Sequence, residues 1–246
     1  MISVKTPDEV KIMAEGGVIS GAALKEVIKH IKPGVSLAQL DKVAENFILQ
    51  NKGQASFKTV DDYKYTTCIN INAGIVHGIP NGYIVKQGDI VSIDLGVLYK
   101  GFHTDISYTV EVNTINETKF LAVGKTALEA GISQCLIDNR LYDISSAIQT
   151  VVEKAGYSVS RDLVGHGVGK SLHEDPYVPG YGKAGRGPLL KDGMVFAIEV
   201  IYQKGNPAIV LDKDGWTLKT ADNSLSGLFE HTVAITAEGP KILTVI

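Results

Sequence analysis

Runs rich in Ile and Val alternate along the chain with longer stretches that open on helix-capping residues. Thr6-Pro7-Asp8-Glu9 is a helix start: Thr6 caps, Pro7 suits the first turn and Glu9 completes a capping box. That helix is expected to reach about Ile31 and stop at Pro33-Gly34, and Ser36 with Gln39 repeats the signal for a second helix ending near Gly53. The apolar runs at 66–71 and 90–98 read as strands. Residues 103–112 read as a third, joined to the previous one by a hairpin around Lys100-Gly101. The second half follows the same order. Helices are predicted at about 117–137 and 142–155, with Gly156 as the C-terminal stop, and strands at 194–202, 208–211, 228–236 and 241–246. Residues 176–188, rich in Gly and Pro, read as a surface loop.

The repeated order of two helices followed by strands predicts an internal duplication, with halves of about 1–115 and 116–246. Lys86-Gln87-Gly88-Asp89-Ile90-Val91-Ser92-Ile93-Asp94 matches Lys191-Asp192-Gly193-Met194-Val195-Phe196-Ala197-Ile198-Glu199. Each copy has a Lys-x-Gly turn, an apolar strand and a carboxylate at the ninth position. Val76-His77-Gly78-Ile79 echoes Gly165-His166-Gly167-Val168, and Gly101-Phe102-His103-Thr104-Asp105 loosely echoes Gly227-Leu228-Phe229-Glu230. Each half is thus expected to contribute one His and two carboxylates in the same order. A pseudo-twofold fold would bring the two sets face to face. Chance similarity between amphipathic strands is the alternative, and the kept order of the three echoes favours duplication.

Composition narrows the function classes. At 246 residues, 44% hydrophobic and 21% charged, the chain is ordinary globular protein that one core could absorb. A net charge of −3 with no polybasic run gives no field for nucleic acid. No apolar stretch is long enough to span a membrane, and the first residues lack a secretion-type pattern, so a cytoplasmic protein is expected. Cys68 and Cys135 make neither a disulfide framework nor a Cys-x-x-Cys zinc site.

Four acids then stand out. Asp94 sits in Ile-Val-Ser-Ile-Asp-Leu-Gly-Val-Leu and Glu199 in Val-Phe-Ala-Ile-Glu-Val-Ile-Tyr, apolar strands without Lys or Arg. Asp105 and Glu230 also lie in strand-like segments without a basic neighbour. A buried carboxylate is costly unless paired or metal-bound. Any one of these acids alone is more simply a solvent-facing residue; the paired placement of all four argues for divalent metal. With His166, set between Gly165 and Gly167, they form a five-ligand set of Asp, Glu and His suited to Mn, Fe, Co or Zn. Two such ions, about 3.5–4 Å apart, would generate hydroxide and polarise a carbonyl.

His77 and His173 also sit beside Gly and Pro turns, which favours a site role for them over a structural one. His30 ends the first helix, where the dipole favours it, and is assigned no role. His103 is placed for support, and His231 is expected on the strand face opposite Glu230. Tyr63, Tyr65 and Cys68 read as core with a modest preference for a pocket. Gly180-Tyr181-Gly182-Lys183-Ala184-Gly185 fits a dinucleotide pattern but lacks the strand-to-helix context.

With these residues in hand, the chain resembles the type I methionine aminopeptidases over nearly its whole length. The segments that carry the resemblance are Asn72 to Pro80, Asp94 and Asp105, Gly165 to Pro176, Gly185-Arg186-Gly187, and Gly215-Trp216-Thr217 through Glu230-His231-Thr232. The resemblance implies an α+β, pita-bread fold. Two pseudo-twofold-related halves would share a curved, mainly antiparallel sheet covered by helices, in a single catalytic domain of residues 1–246. It implies two metal ions: Asp94 on one, His166 with Glu199 on the other, and Asp105 with Glu230 bridging. It further implies that a water attacks the carbonyl of an N-terminal Met. His173 would bond that carbonyl or its oxyanion, His77 would contact the scissile nitrogen, and Glu199 would carry the water's proton. Tyr63, Cys68 and Trp216 match positions lining the methionine pocket, where a polarisable cavity suits a thioether. The implied substrates are peptides and nascent chains beginning with Met, with a ribosome association left open and a monomer expected.

The chain departs from the family pattern at Val200 (usually Pro), Leu228 (usually Gln), Gly227 (commonly Ala), Leu172 (commonly Phe) and residues 59–64. No metal ligand is affected, and an altered methionine pocket is expected. Two rivals remain: a prolidase or X-Pro aminopeptidase, which usually carries an additional N-terminal domain, and a non-catalytic peptide-binding relative, which typically loses ligands.

Overall fold

A computed structural model of the chain describes residues 2–246. In chain order the elements are α1 (Pro7–His30), α2 (Leu37–Gln50), β1 (Gln54–Ala55), β2 (Thr67–Ile71), β3 (Gly74–Val76), β4 (Ile90–Tyr99), β5 (Phe102–Glu111), α3 (Thr118–Ser133), α4 (Leu141–Lys154), β6 (Ser158–Val159), β7 (Val164–Gly167), β8 (Glu174–Pro179), β9 (Val195–Gln203), β10 (Ile209–Leu211), β11 (Leu218–Thr220), β12 (Ser226–Thr236) and β13 (Gly239–Ile242). Both predicted capping boxes form. The Glu9 N–H donates to Thr6 Oγ1 at 3.3 Å and the Thr6 N–H to Glu9 Oε2 at 2.9 Å. Ser36 and Gln39 repeat the exchange at α2.

The main sheet runs β1-β4-β5-β12-β9-β7-β8, with β2 on β4, β6 on β9 and β13 on β12. Among the described residues every strand pairing in it is antiparallel. Two hairpin-like pairs, β4–β5 and β9–β12, meet at a central β5–β12 seam. Outboard of it the halves repeat: β1 joins β4 at Leu98 and Val97, and β6 joins β9 at Gln203 and Tyr202. These are the same positions under the shift that takes Asp94 to Glu199.

Period-two alternation divides each central strand between two environments. Val91, Ile93, Leu95 and Val97 pack under Leu24, Val27, Leu40 and Ile48 of α1 and α2. Phe196, Ile198, Val200 and Tyr202 pack under Phe120, Leu128, Ile144 and Ile148 of α3 and α4. The alternate positions therefore face the opposite side, Ser92 and Asp94 away from α2 and Ala197 and Glu199 away from α3 and α4.

Several boundaries differ from expectation. The last strand ends at Ile242 rather than running to Ile246, because the following segment passes under α1. A Cβ on Gly17 would lie 2.2 Å from Leu243 O, and one on Gly21 would lie 2.0 Å from Val245 O, so this contact requires glycine. α3 stops at Ser133, where Asn139 Nδ2 donates to Gln134 O at 3.0 Å. Part of the predicted 176–188 loop is the strand β8, paired with β7 at the end of the sheet, the place where Pro176 and Pro179 are tolerated. The remainder is ordered by α4, whose Asp143 Oδ1 and Gln149 Oε1 accept the Gly185 and Gly182 N–H groups.

Candidate metal centre

Sheet register gathers the acids. Cys68, Asp94, Ser107, Glu230 and Glu199 stand opposite one another in turn across β2, β4, β5, β12 and β9. Two residues along, Asp105 pairs with Gly96 and His166 with Ala197. One ligand atom each of Asp105, His166 and Glu230 lies within 4.8 Å of the others. His166 Nε2 is 3.5 Å from Glu199 Oε1 and 3.9 Å from Asp105 Oδ2. Thr232 holds the Asp105 backbone from both sides: its hydroxyl accepts from Asp105 N–H and donates to Asp105 O, each at 2.8 Å.

The register corrects two of the sequence echoes. Glu230 faces Glu199, but the residue facing Asp94 is Ser107, not Asp105. His166 faces Ala197, whose counterpart Ser92 faces Asn70, so His77 is not the partner of His166 under the pseudo-twofold relation. The halves share a scaffold, and the candidate ligands decorate it unequally.

All five residues line one cavity of about 470 Å³, and among the described residues no Lys or Arg lines it. Burial pushes Asp94, Glu199 and Glu230 well above the ordinary carboxylate range, reinforced by the neighbouring acids. Burial raises Asp105 to about 7. It lowers His166 to about 4, with His173 adding to the effect. The Gly167 carbonyl, 2.9 Å from His166 Nδ1, can only accept, so that nitrogen carries the hydrogen and Nε2 turns its lone pair to the acids. Asp94 Oδ1 and Glu230 Oε1 are buried without a hydrogen-bond partner. Orphaned carboxylate oxygens, a neutral imidazole and no organic cation are the donor set that hard or borderline divalent ions fill. Cys68 brings no thiolate, since burial holds its thiol protonated and its Sγ donates to Tyr63 OH at 3.2 Å.

In metal-free protein these groups make stability depend on pH. Unfolded histidines titrate near 6.5, whereas burial lowers His77, His103, His166, His173 and His231 in the folded state. Below that pH, protonation of unfolded histidines offsets protonation of the folded acids. Above it the histidines are neutral in both states, and only the folded acids still hold protons. The unfolded state then binds fewer protons, so stability falls as pH rises. Metal-free protein is therefore expected to melt at a lower temperature at pH 8 than at pH 6.5, with added divalent ion removing the difference. Melts followed by circular dichroism check this; an unchanged or higher melting temperature at pH 8 without metal contradicts it.

The remaining predicted residues line the same cavity: His77, His173, Tyr63, Cys68 and Trp216. The His173 ring centroid lies 4.5 Å from that of His166. His77 follows β3 with a left-handed backbone, φ +59°. The adjacent Gly78 lies so close to β2 that a Cβ would be 2.3 Å from Ile69 O. At the apolar end Tyr63 packs edge-on to Trp216 at 5.1 Å and to Phe57 at 6.4 Å, and its hydroxyl donates to Thr67 O at 2.8 Å. Tyr65 touches Tyr63 but does not line the cavity.

Phe57, Leu163, Tyr177 and Ile201 also line the cavity and carried no sequence signal, and Val60 of the divergent 59–64 segment joins them. They come from a 3₁₀ turn, loops and strand positions that only folding brings together. Leu172 lines it too, whereas Val200 lies under the helices and Leu228 packs behind Val76 and Ile201. The structure gives His30 and His231 no place in the cavity. His30 bonds Glu26 O at 2.9 Å on the surface, and His231 bonds Thr244 Oγ1 at 3.1 Å. His103 is buried, 2.9 Å from Ser56 Oγ.

Residues 11–237 match the metallopeptidase family M24. The methionine aminopeptidase of Clostridium perfringens is 44% identical, with 100% of each chain covered. The crystal structure of a methionine aminopeptidase from Thermotoga maritima superposes with a TM-score of 0.97 at 39% identity, covering 100% of both chains. A prolidase from Pyrococcus furiosus shares the fold, with a TM-score of 0.81 at 24% identity, covering 99% of this chain and 65% of the prolidase.

Proposed function

The chain belongs to metallopeptidase family M24, and from that membership we propose that it is a metal-dependent methionine aminopeptidase, releasing the first residue from peptides and nascent chains that begin with Met. The observation that carries this reading is the convergence of Asp94, Asp105, His166, Glu199 and Glu230, from both halves, on one cavity with an apolar end. The halves, about 1–115 and 116–246, then act as one catalytic domain. Asp94 would hold one divalent ion and His166 with Glu199 a second, with Asp105 and Glu230 between them; Mn, Fe, Co and Zn all suit the donors. Such a pair, when bound, acidifies water and polarises a carbonyl.

The chain's own groups do the rest. Phe57, Tyr63, Cys68, Leu172 and Trp216 offer a Met side chain an apolar, polarisable cradle and exclude water from it. Burial lowers His173, which keeps its imidazole neutral, and a neutral imidazole donates one hydrogen bond to the substrate carbonyl oxygen as charge develops there. His77, also lowered by burial, is placed to contact the scissile amide nitrogen. Glu199 holds and returns the proton of the attacking water. Among the described residues no helix is long and apolar enough to cross a membrane. A cytoplasmic monomer, meeting its substrates at or near the ribosome, completes the reading.

The test is release of free methionine from Met-Ala-Ser by chelated and metal-reconstituted protein, with Gly-Pro as a second substrate. Release only after metal addition, and none from Gly-Pro, is expected. Full activity of metal-free protein sinks the mechanism; preferred cleavage of Gly-Pro favours a prolidase, and peptide binding without release favours a non-catalytic relative. Departures at Leu172 and residues 59–64 predict an altered pocket. Norvaline-Ala-Ser, one chain atom shorter than Met-Ala-Ser, is expected to fall behind it by less than the roughly 10- to 200-fold that a one-methylene misfit allows. Ordinary strict preference for Met would argue against that alteration.

A further inference from the structure

The loop that carries His173 is tied to the chain's own N-terminal segment by a partly buried ion pair. Lys5 precedes α1, and its Nζ lies 2.8 Å from Glu174 Oε2, 169 residues away in sequence. The Lys5 side chain is 3% exposed and that of Glu174 15%. The Lys5 stem is fixed by its backbone N–H, which donates to Gly193 O at 2.7 Å. Gly169 makes room for the pair: a Cβ there would lie 2.5 Å from Lys5 Cε and 2.7 Å from Glu174 Oε1. Glu174 Oε1 also accepts the Ser171 N–H at 3.2 Å, and Gly169 O accepts the His103 N–H at 2.7 Å. Residues 169–174 are thus held at β5, at the Gly167–Glu174 bridge of β7 and β8, and at Lys5. His173 is the residue next to the anchored carboxylate.

We propose that the Lys5–Glu174 ion pair is a positioning device for His173, holding the 169–174 loop so that the imidazole meets the substrate carbonyl, and making the N-terminal segment part of the active site's support. The inference rests on the role given to His173 above. An ion pair is a poor choice if stability alone were needed, because desolvation offsets most of its attraction and an apolar contact would seal the same gap. What it adds is direction. Two hydrogen-bonded charges have one good geometry, and a shift of the Glu174 carboxylate moves its neighbour His173 with it.

Four variants test this: Lys5→Met, Lys5→Arg, the double Lys5→Met/Glu174→Gln, and Lys5→Met in a His173→Ala background. Each is followed by kcat and KM on Met-Ala-Ser and by melting temperature, and those that keep His173 also by its ¹⁵N imidazole resonances. Lys5→Met is expected to lower kcat by about 100-fold, the penalty of a misplacement near 1 Å, with KM within about threefold. Lys5→Arg restores kcat. The double variant regains melting temperature, having no unpaired buried charge, but not kcat. In the His173→Ala background Lys5→Met costs no further kcat. Losses that multiply in that background, or kcat that simply follows melting temperature through the series, overturn the proposal. The resonances keep it separate from the function itself. Inactive wild-type protein whose His173 signals still move in Lys5→Met overturns the peptidase reading alone. Active protein whose His173 signals stay in place overturns the positioning alone.

Discussion

Glu199→Gln is expected to lower kcat/KM on Met-Ala-Ser by about 10³-fold or more, toward the upper end of what a lost proton carrier costs. Glu199 faces Glu230 across the β9–β12 ladder and lies 3.5 Å from His166 Nε2, so in the proposed mechanism one carboxylate would serve both ligand set and proton transfer. The amide keeps the shape but offers a neutral oxygen in place of an anion, and it cannot take up the water's proton. Burial, reinforced by Asp105, disfavours the ionised Glu199 in the folded metal-free protein, a cost that the neutral amide does not carry. Chelated Glu199→Gln should therefore melt no lower than chelated wild type, while calorimetry shows weakened binding of divalent ion. Activity within tenfold of wild type at saturating metal would remove Glu199 from the mechanism.

His173→Ala is the second large effect. Loss of one donor to a developing oxyanion costs about 10²- to 10³-fold in kcat. His173 touches the centre through its ring contact with His166 and is not one of the five proposed ligands, so metal affinity should change little. That combination, slow turnover with intact metal binding, separates it from Glu199→Gln. Equal losses of metal affinity in both variants would instead make His173 a ligand.

These effects trace to residues that could be picked out before folding was considered, because a carboxylate in an apolar strand is anomalous wherever it occurs. Asp94 and Glu199 were legible for that reason, and the capping pairs Thr6–Glu9 and Ser36–Gln39 because their bonds span three residues. The walls of the cavity were not. Phe57, Leu163 and Tyr177 look like any core or loop residue until the 3₁₀ turn, the β6–β7 connection and β8 are packed around the same space. The Lys5–Glu174 pair was equally hidden, since no local pattern reports a partner 169 positions away.

The amino-acid order by itself determined the helices, the central strands, the five candidate ligands and the repeat of the two halves, all of which depend on periodicity and short-range chemistry. Tertiary structure alone decided which groups face each other. Slipping a strand by one residue turns every side chain to the other face, so register is set by the apolar rows packed beneath α1 to α4 rather than by the acids themselves. That packing put Ser107 opposite Asp94, Glu230 opposite Glu199 and Asn70 where a symmetric copy of His166 would stand. The result is an unequal candidate metal centre on a nearly symmetric frame.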